Sequence, residues 1–380
     1  MMKQSNRILF LDYMRGFAVI FMVMGHSIDS VLARDVRVTD GFILYDAIRG
    51  FTAPIFLFVS GFAFTITTER RWSEFRTFSK ATGKRLLKTV ALFLIGYALH
   101  APFFSLEKIL KETTPALLEQ FFQVDVLHCV GASLLMLQLM LFAIPSRRVF
   151  ATIVGGLASA IVLASPIVWN IDFAPIVGSF FSPYFNQTQT SIFPLFPFAC
   201  FLFTGVVMGH FYLEAKEKGQ ENRFVKSMLV LAVVVVALGI DFDLLPISIY
   251  PHHDYWKSSP SWFLVRIGIV TLVCAALNFV KRLPDFAHRN LVTLGQSTLL
   301  IYPIHLMIVY GSAANYGLMQ RIGQTLAAHQ AALIGVAVLV SMLMLTYLWN
   351  YLRKNYFVPA RLIQAGLAST LLYNFLTRPW

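Results

Sequence analysis

Ten apolar runs, separated by short segments rich in charge, follow one another along the chain. Each is near the ~20 residues that a helix needs to cross the hydrocarbon core of a bilayer. Lipid offers no hydrogen-bond partners to an open backbone, so each run is predicted to be a helix. The runs lie near 8–28, 48–68, 86–104, 125–144, 149–168, 191–213, 226–240, 261–280, 294–313 and 330–350. The pattern predicts an all-α polytopic membrane protein with about ten transmembrane helices.

Composition narrows the class of protein further. Hydrophobic residues make up 57% of the 380 positions and charged residues 13%, which is about half of the ~25% found in an average globular protein. These values exclude a disordered chain and an ordinary soluble enzyme. Cys129, Cys200 and Cys274 all lie in apolar runs, so no disulfide framework is expected. The net charge of +12 forms no basic patch interleaved with aromatics, so no nucleic-acid partner is expected either.

The distribution of Lys and Arg predicts the orientation. With the N-terminus inside, the cytoplasmic segments hold 22 of these residues and the outer segments hold 7, in keeping with the preference of cations for cytoplasmic loops. Both termini are therefore predicted to be cytoplasmic. A membrane domain is predicted over 1–352. The remaining segment, 353–380, holds too short an apolar run to span comfortably and is predicted to form a cytoplasmic or interfacial helix opened by Pro359.

The first apolar run carries ionisable residues that lipid disfavours. Asp12, Arg15 and His26 lie inside it, and Asp29 lies just beyond. At ~100° per residue all four fall in a stripe about 100° wide, which predicts one helix face that is polar along its whole length and looks into the bundle. An ionisable group inside a span costs at least ~2.5 kcal/mol and usually has a function. The plain structural alternative is an ion pair of Asp12 with Arg15, with His26 at an interfacial end.

Further titratable residues lie in other runs. Asp125 and His128 open the fourth run at an i,i+3 spacing, and His305 lies near the middle of the ninth. The basic segment 69–88 is explained by orientation alone, or equally by the phosphates of an anionic cytoplasmic donor. No His-x-x-x-His or Cys/His spacing is present, so no metal site is expected.

Five motifs, in this order along the chain, resemble the transmembrane acyltransferase superfamily, and favour its bacterial-type branch similar to heparan-α-glucosaminide N-acetyltransferase. They are LDYMRGFA at 11–18 with its spacing from Arg15 to His26, APIFLFVSGF at 53–62, KRLL at 84–87, DVLHCVG at 125–131 and LGQSTLLIYPIH at 294–305. The likeness is clear over 7–142 and 291–311 and weak between them. One departure is that heparan-type members can carry a catalytic histidine in the first outer loop, whereas no histidine occurs here from 27 to 99.

The resemblance implies an enzyme that moves an acyl group, usually acetyl, from cytoplasmic acetyl-CoA to a sugar of a glycan or glycolipid on the far side of the membrane. Combined with the polar stripe, it predicts His26 as general base and Asp29 as the residue that orients its imidazole. His305 and His128 complete the catalytic candidates. The residues expected to contact the donor are Asp12, Arg15, Arg70, Arg71, Lys84 and Arg85.

The same resemblance predicts an integral protein of the bacterial cytoplasmic (inner) membrane, surrounded by lipid, and leaves a homodimer open. Two other classes of protein also stay open. A proton-coupled transporter would use the polar stripe as a relay, but would need a mid-membrane carboxylate and internal repeats, and the sequence shows neither. A non-catalytic membrane component would require every intramembrane ionisable residue to be purely structural.

Overall fold

The computed structural model describes residues 8–187, 190–244, 249–280 and 283–378. These residues form helices joined by short loops, with no β-strand among them. The predicted all-α class is confirmed. Four cations counted in the orientation, Lys3, Arg7, Lys281 and Arg282, lie outside the described residues.

The helices are named here in chain order. In the first part of the chain they are α1 (Leu9–Val31), α2 (Asp40–Arg49), α3 (Thr52–Glu69), α4 (Trp72–Phe75), α5 (Lys80–Leu99), α6 (Leu106–Glu112), α7 (Pro115–Phe121), α8 (Val126–Ala143) and α9 (Arg147–Val168). They continue with α10 (Ala174–Val177), α11 (Leu195–Glu217), α12 (Glu221–Asp243), α13 (Tyr255–Ser258), α14 (Pro260–Asn278), α15 (Asp285–Gln296), α16 (Thr298–Val309), α17 (Leu318–Ile322), α18 (Ala328–Asn355) and α19 (Phe357–Thr377). Two 3₁₀ helices cover Asp35–Val38 and Ser182–Tyr184.

Within the described residues, eight helical stretches are long and apolar enough to cross a membrane. They are α1, the stretch Asp40–Glu69 that joins α2 and α3, α8, α9, α11, α12, α14 and α18. The pair of α15 and α16 makes a ninth if it is counted as one broken span. Lipid is the only surrounding in which so many helices can expose apolar side chains, so the chain is an integral membrane protein.

Two predicted spans differ in detail from the structure. The run at 294–313 is not one straight helix, because the chain bends by 81° between α15 and α16 at Ser297. The run at 86–104 corresponds to α5, which begins earlier, at Lys80, and has four cations in its first nine residues. This helix is therefore not among the candidate membrane spans. Its exclusion explains why the described residues contain eight or nine candidate spans, where about ten were predicted.

The C-terminal segment forms a helix, α19, with Pro359 in its first turn. The preceding helix, α18, runs to Asn355, three residues beyond the predicted boundary at 352. Near the end of the chain, Ser105 donates a hydrogen bond to the carbonyl oxygen of Arg378 at 2.9 Å.

One of two compact units in the chain comprises the described residues of Met1–Thr52, Tyr97–Phe121 and Arg282–Trp380. In it, α1 packs against α15 and α18. A Cβ atom at Gly16 would lie 2.4 Å from the carbonyl oxygen of Leu291, and one at Gly295 would lie 2.7 Å from that of Asp12. The absence of side chains at these two positions lets the backbones of α1 and α15 come into direct contact.

The other unit comprises the described residues of Ala53–Gly96 and Phe122–Lys281. Here α11 packs against α8 and α9, and crosses α3 through two glycines. A Cβ at Gly61 would lie 1.8 Å from the carbonyl oxygen of Leu202, and a Cβ at Gly205 would lie 2.0 Å from that of Phe58. Buried aromatic side chains, including Phe201 and Phe263, fill the core beside this crossing.

Candidate active site

His26, near the C-terminal end of α1, lies beside a second imidazole and a phenol. The ring centroids of His26 and His305 are 5.5 Å apart. The Nδ1 atom of His26 is 3.1 Å from the hydroxyl oxygen of Tyr310, which follows the last residue of α16. The bend at Ser297 orients α16 so that it carries both residues to α1. The structure thus brings together His26 and His305, two of the predicted catalytic residues.

The hydrogen bond of His305 determines which of its nitrogens carries a proton. Its Nδ1 is 2.8 Å from the carbonyl oxygen of Ile301, one turn earlier in α16. A carbonyl oxygen only accepts, so Nδ1 must hold the hydrogen, and in the neutral ring Nε2 keeps its lone pair. The side chain is fully buried, and Nε2 has no hydrogen-bond partner among the described residues. This nitrogen is therefore available to accept a proton.

Asp29 makes its contacts with arginines. One carboxylate oxygen pairs with Arg49 at the end of α2, and the other lies 3.8 Å from a guanidinium nitrogen of Arg37. Arg37 also donates to the main-chain oxygen of Asp29 at 2.5 Å. The hydrogen bond found on the His26 imidazole is the one with Tyr310. The orienting position predicted for Asp29 is thus taken by Tyr310, because the carboxylate is held by cations of the segment that follows α1.

A glycine makes room for one of these arginines. A Cβ atom at Gly25 would lie 2.7 Å from Cδ of Arg49, so the arginine side chain crosses α1 directly beside His26. Its guanidinium then reaches Asp29, one turn farther along the same helix. In the sequence, Arg37 and Arg49 are two of the seven cations of the outer segments, and no pattern marks Tyr310 or Gly25. No periodicity signals these contacts, since each joins α1 to a different element.

Comparison with known families identifies the class of this protein. The model of the family described as the acyltransferase domain matches residues 8–346, which is nearly the whole chain. The chain belongs to the acyltransferase-domain family. A search of curated proteins found no match. The matched region contains both histidines of the site and Tyr310, so the acyltransferase assignment and the geometry concern the same part of the molecule.

At the other end of α1, this acyltransferase carries the remaining residues of the predicted stripe. Arg15 pairs with Asp12 at 3.8 Å, which is the i,i+3 contact that the structural alternative to a functional stripe predicts. Between Arg15 and His26, however, the same helix face is occupied by Val19 and Met22, both buried. The prediction of a face polar along its whole length was wrong. Two polar ends, about 16 Å apart along the helix, are separated by apolar side chains.

His128 lies in the other unit of the acyltransferase, in a wholly buried contact with Asp125. Its Nδ1 is 2.7 Å from Oδ1 of Asp125, which also accepts hydrogen bonds from two backbone N–H groups and so caps α8. The ring is packed so closely that a Cβ at Gly96 would lie 2.4 Å from it. These contacts give the pair a clear structural role at the start of α8, as expected for a capping box. Their catalytic role stays a prediction.

The cations of segment 69–88 have different environments. The Arg85 guanidinium stacks on Phe75, with 3.3 Å from its central carbon to the ring centroid, and donates to Gln138 and Thr68. Arg71 donates to Glu74 at 2.9 Å, and this hydrogen bond lowers the pKa of the Glu74 carboxyl. The side chains of Arg70, Arg71 and Lys84 are exposed. Of the predicted donor contacts in this segment, Arg85 is engaged in holding the fold, and a role of the three exposed cations at the donor stays a prediction.

A cleft in the same unit contains another group of titratable residues. Glu69, at the end of α3, accepts from Arg147 and lies 2.9 Å from Nδ1 of His210 on α11. Trp72 forms part of the cleft and packs against Arg147. Metal ligation was not expected from the sequence, and the described residues contain no group of three or more His, Cys, Asp or Glu arranged to hold a metal ion.

Proposed function

We propose that this membrane acyltransferase moves an acetyl group from cytoplasmic acetyl-CoA to a sugar acceptor on the extracytoplasmic side, with His26 as general base. The main support is that the imidazole rings of His26 and His305 lie side by side, with their centroids 5.5 Å apart, in a chain of the acyltransferase-domain family. Acetyl as the acyl group and a sugar as the acceptor follow from the resemblance of the motifs around Arg15 and His26 to the heparan-α-glucosaminide N-acetyltransferase-like branch.

The reaction would proceed by attack of the acceptor on the thioester. His26 takes the proton of the acceptor's hydroxyl or amine as its oxygen or nitrogen bonds to the carbonyl carbon. The carbon–sulfur bond then breaks, and the CoA thiolate leaves with the proton returned by the imidazolium. In this role the Nδ1–H of His26 donates to the hydroxyl oxygen of Tyr310, so that Nε2 keeps the lone pair that takes the proton. His305 would be a second proton acceptor, because its Nε2 atom has a lone pair and no hydrogen-bond partner among the described residues.

The donor is a polyanion, so its nucleotide end would remain among cations at the cytoplasmic face. The exposed side chains of Arg70, Arg71 and Lys84 suit phosphate groups by charge and by their access to solvent. The cytoplasmic placement of this segment rests on the Lys and Arg distribution. Arg15, paired with Asp12 in the first turns of α1, stays a predicted contact of the donor.

Tyr310→Phe tests the orienting contact. Removal of the hydroxyl leaves the His26 ring in place but without its partner at Nδ1, and a neutral hydrogen bond of ~0.5–1.5 kcal/mol corresponds to about two- to tenfold in rate. We expect kcat for transfer of labelled acetyl from acetyl-CoA to fall by that factor, with the KM for the donor unchanged. Tyr316→Phe is the matched control, since Tyr316 is exposed on the loop after α16. An unchanged kcat in Tyr310→Phe would remove this residue from the mechanism.

A further inference from the structure

Several buried polar atoms without hydrogen-bond partners lie close to His26. Among the described residues they include Oδ1 of Asp29, Nε of Arg37, the hydroxyl of Tyr45 and Nε2 of His305. Buried polar groups in native proteins are nearly always hydrogen-bonded, because an unsatisfied one costs ~1–3 kcal/mol. These four come from α1, α2, α16 and the 3₁₀ helix after α1, so no single local defect explains them. Such a set is what a ligand-binding subsite presents when its ligand supplies the missing partners.

Asp29 is held by two arginines, yet one of its carboxylate oxygens, Oδ1, has no hydrogen bond. Arg49 pairs with Oδ2, and Arg37 grips the main-chain oxygen of the same residue at 2.5 Å. The ion pair between Arg37 and Oδ1 is long, at 3.8 Å, and leaves that oxygen without a hydrogen bond. The two arginines hold the carboxylate in place. Oδ1 is therefore a preorganised acceptor for a hydroxyl or amine hydrogen.

A second polar atom beside α1 is the hydroxyl oxygen of Tyr45, which belongs to α2. Tyr45 shares one face of α2 with Phe42 and Arg49, and its ring lies 5.9 Å from that of Phe42. Its hydroxyl oxygen is 3.8 Å from the position of a Cβ at Gly25, directly before His26. This hydroxyl is sealed from solvent, although much of α2 is exposed. A phenol so placed can both donate to and accept from a ligand.

We infer that Tyr45 and Asp29, on either side of Arg49, form the acceptor subsite and select a ligand rich in hydroxyl groups. The inference rests on the proposed function and deepens it by naming the residues that recognise the acceptor. One hydroxyl of the ligand donates to Oδ1 of Asp29, and a second exchanges a hydrogen bond with Tyr45. A third, the attacking group, lies at His26. A site with buried polar atoms rejects ligands that cannot satisfy them, so these contacts set specificity.

Tyr45→Phe is the direct test in the full-length protein. The acceptor probe is a saccharide fraction extracted from the envelope of cells that lack the gene, and the donor is labelled acetyl-CoA. We expect the apparent KM for the saccharide to rise about two- to tenfold, the range for loss of one neutral hydrogen bond, with kcat and the KM for acetyl-CoA unchanged. Asp29→Asn should raise the saccharide KM further. It will also lower the Tm, because it breaks the pair with Arg49.

Asp46→Asn is the matched control. Asp46 pairs with the same arginine, but its side chain is about half exposed and is not among the buried unpaired groups. We expect this variant to keep the wild-type saccharide KM. An unchanged saccharide KM in Tyr45→Phe, with wild-type transfer otherwise intact, would overturn the subsite and leave the proposed function standing. If wild-type protein transfers no acetyl to the saccharide fraction, or transfers it equally well without His26, the proposed function itself fails.

Discussion

His26→Ala is expected to lower kcat for acetyl transfer by 10²–10⁴-fold, the usual contribution of a positioned general base. The imidazole is held by Tyr310 at one nitrogen and packs beside His305, so its removal takes away the proton acceptor at the centre of the site. The KM for acetyl-CoA should stay near its wild-type value, because the proposed phosphate contacts lie elsewhere. The measurement is the initial rate of label transfer at saturating donor, with purified protein in lipid.

The matched control for this variant is His288→Ala. His288, on α15, makes the same kind of contact, with its Nδ1 2.8 Å from the hydroxyl of Tyr13 on α1. It belongs to the same unit but lies near the opposite end of α1. We expect His288→Ala to keep kcat within about twofold and to lose some stability through the broken hydrogen bond. An equal loss of activity in both variants would show that any tyrosine–histidine contact to α1 matters only for folding.

Gly61→Ala is expected to have the largest effect on folding. The added methyl group would lie 1.8 Å from the carbonyl oxygen of Leu202, and a backbone atom cannot rotate away as a side chain can. The helices α3 and α11 would have to separate, which disturbs a core in which Leu202 and Phe58 are almost wholly buried. Overpacking of a core costs ~1–3 kcal/mol and occasionally more, and we expect the upper end of this range. The measurement is the Tm of the protein in lipid or detergent.

Gly156→Ala provides the comparison for Gly61→Ala. Gly156 lies in the middle of α9, and a Cβ there would meet nothing within 4 Å. Alanine is favoured over glycine in a helix by up to ~1 kcal/mol, so the Tm should stay unchanged or rise slightly. Wild-type stability in Gly61→Ala would mean that α3 and α11 are not in backbone contact at this crossing.

The sequence predicted the elements well because lipid imposes a simple rule on them. Long apolar runs without backbone partners must be helices, and α1 is one unbroken helix from Leu9 to Val31, as its run indicated. The helical period then placed His26 and Asp29 on one face of α1 before any coordinates. The apolar run at 294–313, which holds the last three residues of α15 and all of α16, did not reveal the 81° bend between them, because Ser297 and Pro303 are compatible with a continuous span in lipid.

The partners of the site residues could not be predicted. Asp29 has the residue type and spacing of an imidazole partner, yet two arginines from the following segment bind it. Arg85 has the charge of a phosphate ligand, yet it stacks on Phe75 and binds Gln138. A residue type indicates which interactions a side chain can make, whereas the tertiary fold decides which partner is close enough. Tyr310 joined the site for the same reason, through the direction of α16.

In the proposed reaction, an acetyl group supplied on one face of the membrane reaches His26 and is transferred to an acceptor on the other face. Sealed vesicles of one orientation test it, with labelled acetyl-CoA, which does not cross lipid, outside and the envelope saccharide fraction trapped inside. When the cytoplasmic face is outward, we expect label on the trapped saccharide with wild-type protein and none with His26→Ala. Label that appears only when donor and saccharide share one compartment, or that persists in His26→Ala, would contradict it.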